Sequence, residues 1–162
     1  PDPTPLAQVL FDADNLDKLG PLGAANYFVK AGLRGRGIGD GVLARVTVEL
    51  TYARHAPRSL LSGAGRRLAV IRAPQTVRYF HDLLDQLRED GLADLRVETV
   101  DHDGFVLDLV VPPSCECGAP LRRRIWDVAG MKCTEIHVEH ACAACDRARE
   151  LRFCRPRLSH AP

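Results

Sequence analysis

Two tight cysteine pairs constrain this chain more than any other feature. Cys115 and Cys117 are separated by one residue, Cys142 and Cys145 by two, and 24 residues lie between the pairs. Thiolates are preferred zinc ligands at about 2.3 Å, and two such pairs on facing turns complete a tetrahedron. Strand-like segments run over residues 121–128 and 132–140 between the pairs, and a third covers 150–153. The two cysteine turns are therefore expected to meet at one end of a small sheet.

This layout, two knuckles joined by a hairpin and followed by a third strand, resembles a zinc ribbon over about residues 113–155. The first knuckle is one residue shorter than the usual Cys-x-x-Cys. A structural zinc ion bound by Cys115, Cys117, Cys142 and Cys145 is expected, with no open position for chemistry. Cys133, Cys154, His137 and His140 are the competing ligands. Alternation puts Cys133 and His137 on one face, where a core thiol and a surface imidazole are the commoner readings. Six cysteines in a chain of this size fit a cytosolic metal site better than a disulfide framework.

Upstream of the cysteines the periodicity changes. Apolar residues recur at helical spacing until about residue 90 and alternate with period two from Leu95 onward. The pattern predicts helices over 5–19, 22–31, 40–56, 58–72 and 76–90, with Pro57 and Pro74 as breaks. Strands are expected over 95–100 and 105–111, joined at Asp103-Gly104, an Asp-Gly hairpin signal. The fold class is α+β. An all-helical segment over 1–90 precedes a β-rich segment over 91–162.

In the first helix, capped by Thr4 and opened by Pro5, the residues Leu6, Val9, Leu10, Ala13 and Leu16 fall on one stripe. Asp17 lies inside that stripe, Asp14 on its border, and Asp12 on the opposite border, toward solvent. A carboxylate aimed into an apolar face must be neutralised, hydrogen-bonded or metal-bound. Pairing with an Arg, capping a neighbouring helix and binding a metal all satisfy it.

The segment Asp12-Ala13-Asp14-Asn15-Leu16-Asp17-Lys18-Leu19-Gly20 resembles the final metal-binding block of the HD-domain metal-dependent phosphohydrolases, and the resemblance covers about residues 4–40. It implies Asp14 as ligand of a divalent metal and Asp17 as its orienting neighbour. It also implies a phosphorylated small-molecule substrate. The glycine-arginine loop after the second helix, with Arg34 and Arg36, then becomes the substrate side. In that family the metal polarises a phosphate ester and activates water, and a His and a His-Asp pair upstream complete the ligands. Thirteen residues precede Asp14 here and none is His. The isolated chain is therefore expected to be inactive. The pair His81-Asp82 follows the block rather than preceding it, and is read as chance.

The sequence starts at Pro1 and its only methionine is Met131, so a processed product or part of a longer chain is expected. No apolar run approaches the ~18 residues of a membrane span, and a cytoplasmic location follows by default. The net charge is +1, so no strong electrostatic partner is expected. From Pro113 onward nine basic residues face six acidic ones, a thin footprint for phosphate backbones, and nucleic acid is not favoured. Trp126 and Phe153 suit core packing better than a base-stacking platform. The rival reading is a zinc-stabilised binding or regulatory module that contacts a protein or nucleic acid, with the helices as scaffold.

Overall fold

The computed structural model describes residues 4–130 and 133–155. The chain is α+β. Helices α1 (Pro5–Leu16), α2 (Gly20–Leu33), α3 (Asp40–Ser59) and α4 (Gly63–Glu89) precede strands β1 (Arg96–His102), β2 (Phe105–Val111), β3 (Leu121–Ala129), β4 (Thr134–Cys142) and β5 (Ala148–Arg155). The strands form an antiparallel hairpin, β1-β2, and an antiparallel sheet of order β3-β4-β5. Lys132, where the fourth strand was expected to begin, lies outside the described residues. Among the described residues no helix is long and apolar enough to cross a membrane.

Among the described residues four helices stand where five were expected, because Pro74 does not interrupt α4, while the break expected at Pro57 falls just after Ser59. Pro57 sits in the last turn of α3 and Pro74 inside α4. A proline in a helix leaves the carbonyl four residues back without its partner. For Pro74 that carbonyl belongs to Val70, which is 60% exposed, so water can serve it. The Asp-Gly signal holds: Asp103 and Gly104 have φ of 50° and 75°, the pair of positive values a two-residue hairpin turn requires.

Helix α1 docks through a different face from the expected stripe. Leu6, Val9, Leu10 and Phe11 are 45–68% exposed, while Leu16 and Asp12 are buried. Asp12 sets this orientation. Its carboxylate accepts from the Leu61 and Ser62 backbone N–H groups, both at 2.8 Å, and from the Ser62 hydroxyl at 2.5 Å. It thereby serves the N-terminus of α4, whose own N-cap is Ser62. Burial alone would raise the Asp12 pKa, but these hydrogen bonds and Arg66 together hold it below the ordinary value. Gly65 has a steric reason to be glycine, since a Cβ there would collide with the Asp12 carboxylate.

The β1-β2 hairpin is the middle layer of the molecule. Phe105, Leu107, Leu109 and Val111 of β2 pack on Ile136, Val138, Leu151 and Phe153 of the three-stranded sheet. Val110, on the other side of the strand, joins Leu43, Val46, Leu50, Phe80 and Leu84 of the helices. The helical and β-rich segments thus share a core, although the composition border near residue 91 does mark the change from helix to strand. The Asp108 carboxylate, buried on that strand, is met by both arms of the Arg54 guanidinium at 2.7 Å and by Thr99 Oγ1.

The edge of β2 away from β1 would expose unpaired backbone groups, and α3 satisfies them with side chains spaced four residues apart. The Val110 N–H donates to Thr47 Oγ1 at 2.7 Å, and the Asp108 N–H donates to Thr51 Oγ1 at 3.0 Å. His55 Nε2 lies 2.7 Å from the Val106 carbonyl. One helix face therefore does the work of a third strand.

Candidate metal centre

Pairing of β3 with β4 sets the two cysteine turns side by side. Leu121, at the start of β3, is the register partner of Cys142, at the end of β4. Cys115 and Cys117 lie just before the first of these strands, and Cys145 lies in the turn after the second. The first turn is closed by the Gly118 N–H donating to the Cys115 carbonyl and the Cys115 N–H donating to the Ala119 carbonyl. Gly118 takes φ +84°, which permits a knuckle with one residue between its thiols. The second turn is closed by the Cys142 N–H on the Arg147 carbonyl. An ion pair between Glu116 and Arg147 ties one turn to the other.

The four sulfurs converge within 4.8 Å of one another. Cys115 Sγ lies 3.5 Å from Cys145 Sγ, and Cys117 Sγ lies 3.5 Å from Cys142 Sγ. A metal at about 2.3 Å from four sulfurs needs edges of about 3.8 Å, so the spacing fits a tetrahedral ion with small adjustment. Cys115 and Cys142 are buried while Cys117 and Cys145 are exposed.

The electrostatics of the cluster fit a cation. The Ala144 N–H, 3.3 Å from Cys142 Sγ, leads the interactions that hold the Cys142 thiol down at about 6. At Cys145 the Arg147 N–H favours the thiolate, yet the three neighbouring cysteines outweigh it and push the thiol up to about 12. Four negative charges cannot share this volume unaided, and a bound dication removes the conflict.

The remaining metal-ligand candidates are elsewhere. Cys133 and Cys154 are joined in a disulfide, which corrects the expectation of a free core thiol at Cys133. The link ties β5 to the residue preceding β4, next to the register pair Glu135 and Cys154. His137 is buried rather than on the surface, with Nδ1 2.6 Å from Glu150 Oε1 and its ring beside Trp126. His140 is also buried, and it lines a cavity of about 300 Å³ bordered by Cys115, Val111 and Leu151. Desolvation leads the causes that lower its pKa. Phe153 belongs to the core.

His102, Asp103 and Asp127 form a second group with possible ligand atoms close together. His102 Nε2 lies 3.0 Å from Asp127 Oδ1. The Arg155 guanidinium stands beside it, 3.7 Å from Asp127 Oδ2. The antiparallel hairpin and the third sheet strand bring these residues together, and no local spacing signals it.

Asp14 on α1 and Asp17 at its C-cap are both exposed, so Asp17 is not the inward carboxylate that the stripe implied. Asp14 Oδ2 lies 2.9 Å from Lys18 Nζ. This hydrogen bond, with Lys18 charge beside it, holds the Asp14 pKa below the usual carboxylate value. Asp14 belongs to neither of the two ligand groups found among the described residues. Arg34 and Arg36 are exposed between α2 and α3 and border a cleft there. His81 and Asp82 lie on α4, half-buried and exposed respectively. No protein-family model matches the chain, and no curated protein or solved structure matches it either.

Proposed function

We propose that this chain is the C-terminal portion of an HD-domain-like metal-dependent phosphohydrolase acting on a phosphate ester, with its β-rich part held together by one structural zinc ion. The convergence of four sulfurs within 4.8 Å carries the zinc half of this reading. Tetrahedral thiolate sites are the preferred home of zinc, and four protein ligands leave it no vacant position. Zinc binding here links two turns that the sheet alone leaves exposed at its end. The four free cysteines suit a reducing setting such as the cytoplasm, whereas the Cys133–Cys154 disulfide suits an oxidising one.

The hydrolase half is supported by the placement of Asp14. Its carboxylate is open to solvent, and among the described residues it accepts a hydrogen bond from Lys18, just past the end of α1. Lys30 of α2 is near enough to act on it electrostatically, so an anionic substrate and a metal could both be accommodated on this side of the helices. A divalent metal there would polarise the phosphate and lower the pKa of a bound water. Asp17 and Lys18 would then orient and balance the Asp14 carboxylate.

Metal analysis of the purified chain tests both halves. One zinc per chain is expected, and it is lost on Cys142→Ala with Cys145→Ala. A second site, for manganese or nickel, is expected to survive those changes and vanish with Asp14→Ala. Absence of zinc sinks the ribbon reading, and absence of any Asp14-dependent metal leaves the hydrolase reading without support. Robust hydrolysis of a phosphomonoester by these 162 residues alone would overturn the expectation that the isolated chain is inactive.

The apolar surface of α1 favours the second reading, a zinc-stabilised module contacting another protein. Leu6, Val9 and Leu10 are all more than half exposed, and contiguous exposed apolar surface marks interaction sites.

A further inference from the structure

A cleft of about 150 Å³ separates α2 from α3, and its rim is unusually basic. Lys30 projects from α2, Arg34 and Arg36 from the residues that follow it, and Arg45 from α3; Tyr27, Ala31, Val42 and Glu49 complete the lining. Among the described residues these four cations form no ion pair or side-chain hydrogen bond, whereas Arg54, Arg88, Arg123, Arg147 and Arg152 each meet a carboxylate. Four cations therefore border this cleft with one described carboxylate, Glu49, among them.

A second hollow, bordered by Gly37, Gly39 and Gly41, continues the cleft and shares Arg36 and Val42 with it. That hollow lies at the N-terminus of the 20-residue α3, whose N-cap Gly39 supplies no side chain to cap the first turn. The positive end of the helix dipole adds to the four side chains. Among the described residues Glu49 is the acid that lines the cleft; burial raises its pKa, against the pull of Lys18, Lys30 and Arg45. A phosphomonoester carries about −2, so four cations and a helix N-terminus match two phosphate groups better than one. Guanidinium forks suit phosphate oxygens in geometry as well as in charge.

We propose that the cleft formed by Lys30, Arg34, Arg36 and Arg45 binds the phosphate groups of a diphosphate-bearing small molecule. This deepens, and rests on, the phosphohydrolase reading, for which it supplies the substrate side. Lys30 links the two regions, since it stands at the cleft and acts on Asp14.

Isothermal titration calorimetry of the full chain with sodium pyrophosphate, in buffer free of divalent ions at 150 mM salt, tests the proposal. Pyrophosphate is expected to bind at least tenfold more tightly than inorganic phosphate. Arg34→Ala combined with Arg36→Ala should weaken it at least tenfold with an unchanged circular dichroism spectrum. Arg45→Ala should weaken it as well. Arg78→Ala, which removes an exposed cation of α4, should leave it unchanged. Absence of pyrophosphate binding, or equal binding by the double variant, overturns the proposal. Equal weakening by Arg78→Ala reduces the effect to overall charge and overturns it too. Asp14→Ala separates this from the hydrolase reading. Pyrophosphate binding without any Asp14-dependent metal leaves the cleft standing and removes the hydrolase; the metal without pyrophosphate does the reverse.

Discussion

Replacing Asp12 with alanine is expected to destabilise the chain by about 2–4 kcal/mol. The carboxylate is 3% exposed and accepts three hydrogen bonds, two of them from backbone N–H groups ahead of α4. Hydrogen bonds to a charged group contribute about 1.5–3 kcal/mol each, and a buried donor left unpaired costs about 1–3 kcal/mol. Leu61 and Ser62 are only half-buried, so water recovers part of the loss and the sum stays well below three full bonds. Urea unfolding followed at 222 nm measures it.

The pH dependence follows from the depressed pKa of Asp12. A carboxylate whose folded pKa lies below its unfolded value, about 3.9, contributes fully above that value and loses its contribution as pH falls through the folded one. The gap between the native chain and Asp12→Asn should be constant near pH 7 and should shrink below about pH 4. Gly65→Ala completes the test. Alanine is better than glycine inside a helix by about 1 kcal/mol, but here its Cβ meets Asp12. The substitution should destabilise the native chain and stabilise the Asp12→Ala variant. An Asp12→Ala loss under about 0.5 kcal/mol, or the same sign for Gly65→Ala in both backgrounds, refutes this account of how α1 docks.

The proposed zinc should be lost on Cys142→Ala with Cys145→Ala, together with the near-ultraviolet circular dichroism of Trp126, which lies on β3 between the two cysteine turns. The α-helical signal should largely persist. Thr47→Val and Thr51→Val should each cost about 1–3 kcal/mol in urea unfolding, because each leaves a buried β2 N–H unpaired. Burial lowers the His55 pKa from 6.5, helped by Arg54 and Arg58 and opposed by the Val106 carbonyl. The unfolded chain therefore takes up the proton first, and stability is complete above 6.5 and falls as pH drops toward the folded value. His55→Gln should flatten that part of the stability profile between pH 7 and 5.

Local pattern determined a good deal of this protein. The change from a 3.6-residue to a two-residue period, the Thr4 cap, the Asp103-Gly104 turn and the spacing of the four zinc-type cysteines are all properties of neighbouring residues. Each of these features stands in the structure. Close spacing works as a signal because a knuckle is built from its own few peptide groups.

Tertiary structure decided what depends on distant partners. The face of α1 that docks was set by Asp12 and by N–H groups some 50 residues away, so an apolar stripe misled about which acid was buried. Pro57 and Pro74 sit within helices because packing along α3 and α4 outweighs one missing hydrogen bond in each. Thr47, Thr51 and His55 have no periodic signature of edge capping; their role exists only because β2 lies beside them. The Cys133–Cys154 bridge required the β4–β5 register. The basic cleft required α2 and α3 to meet, which brings Lys30 and Arg45 to the arginines that the sequence already placed next to each other. Period and spacing fix the elements because they act through adjacent residues, while the sites between elements are fixed by contacts that only the folded chain makes.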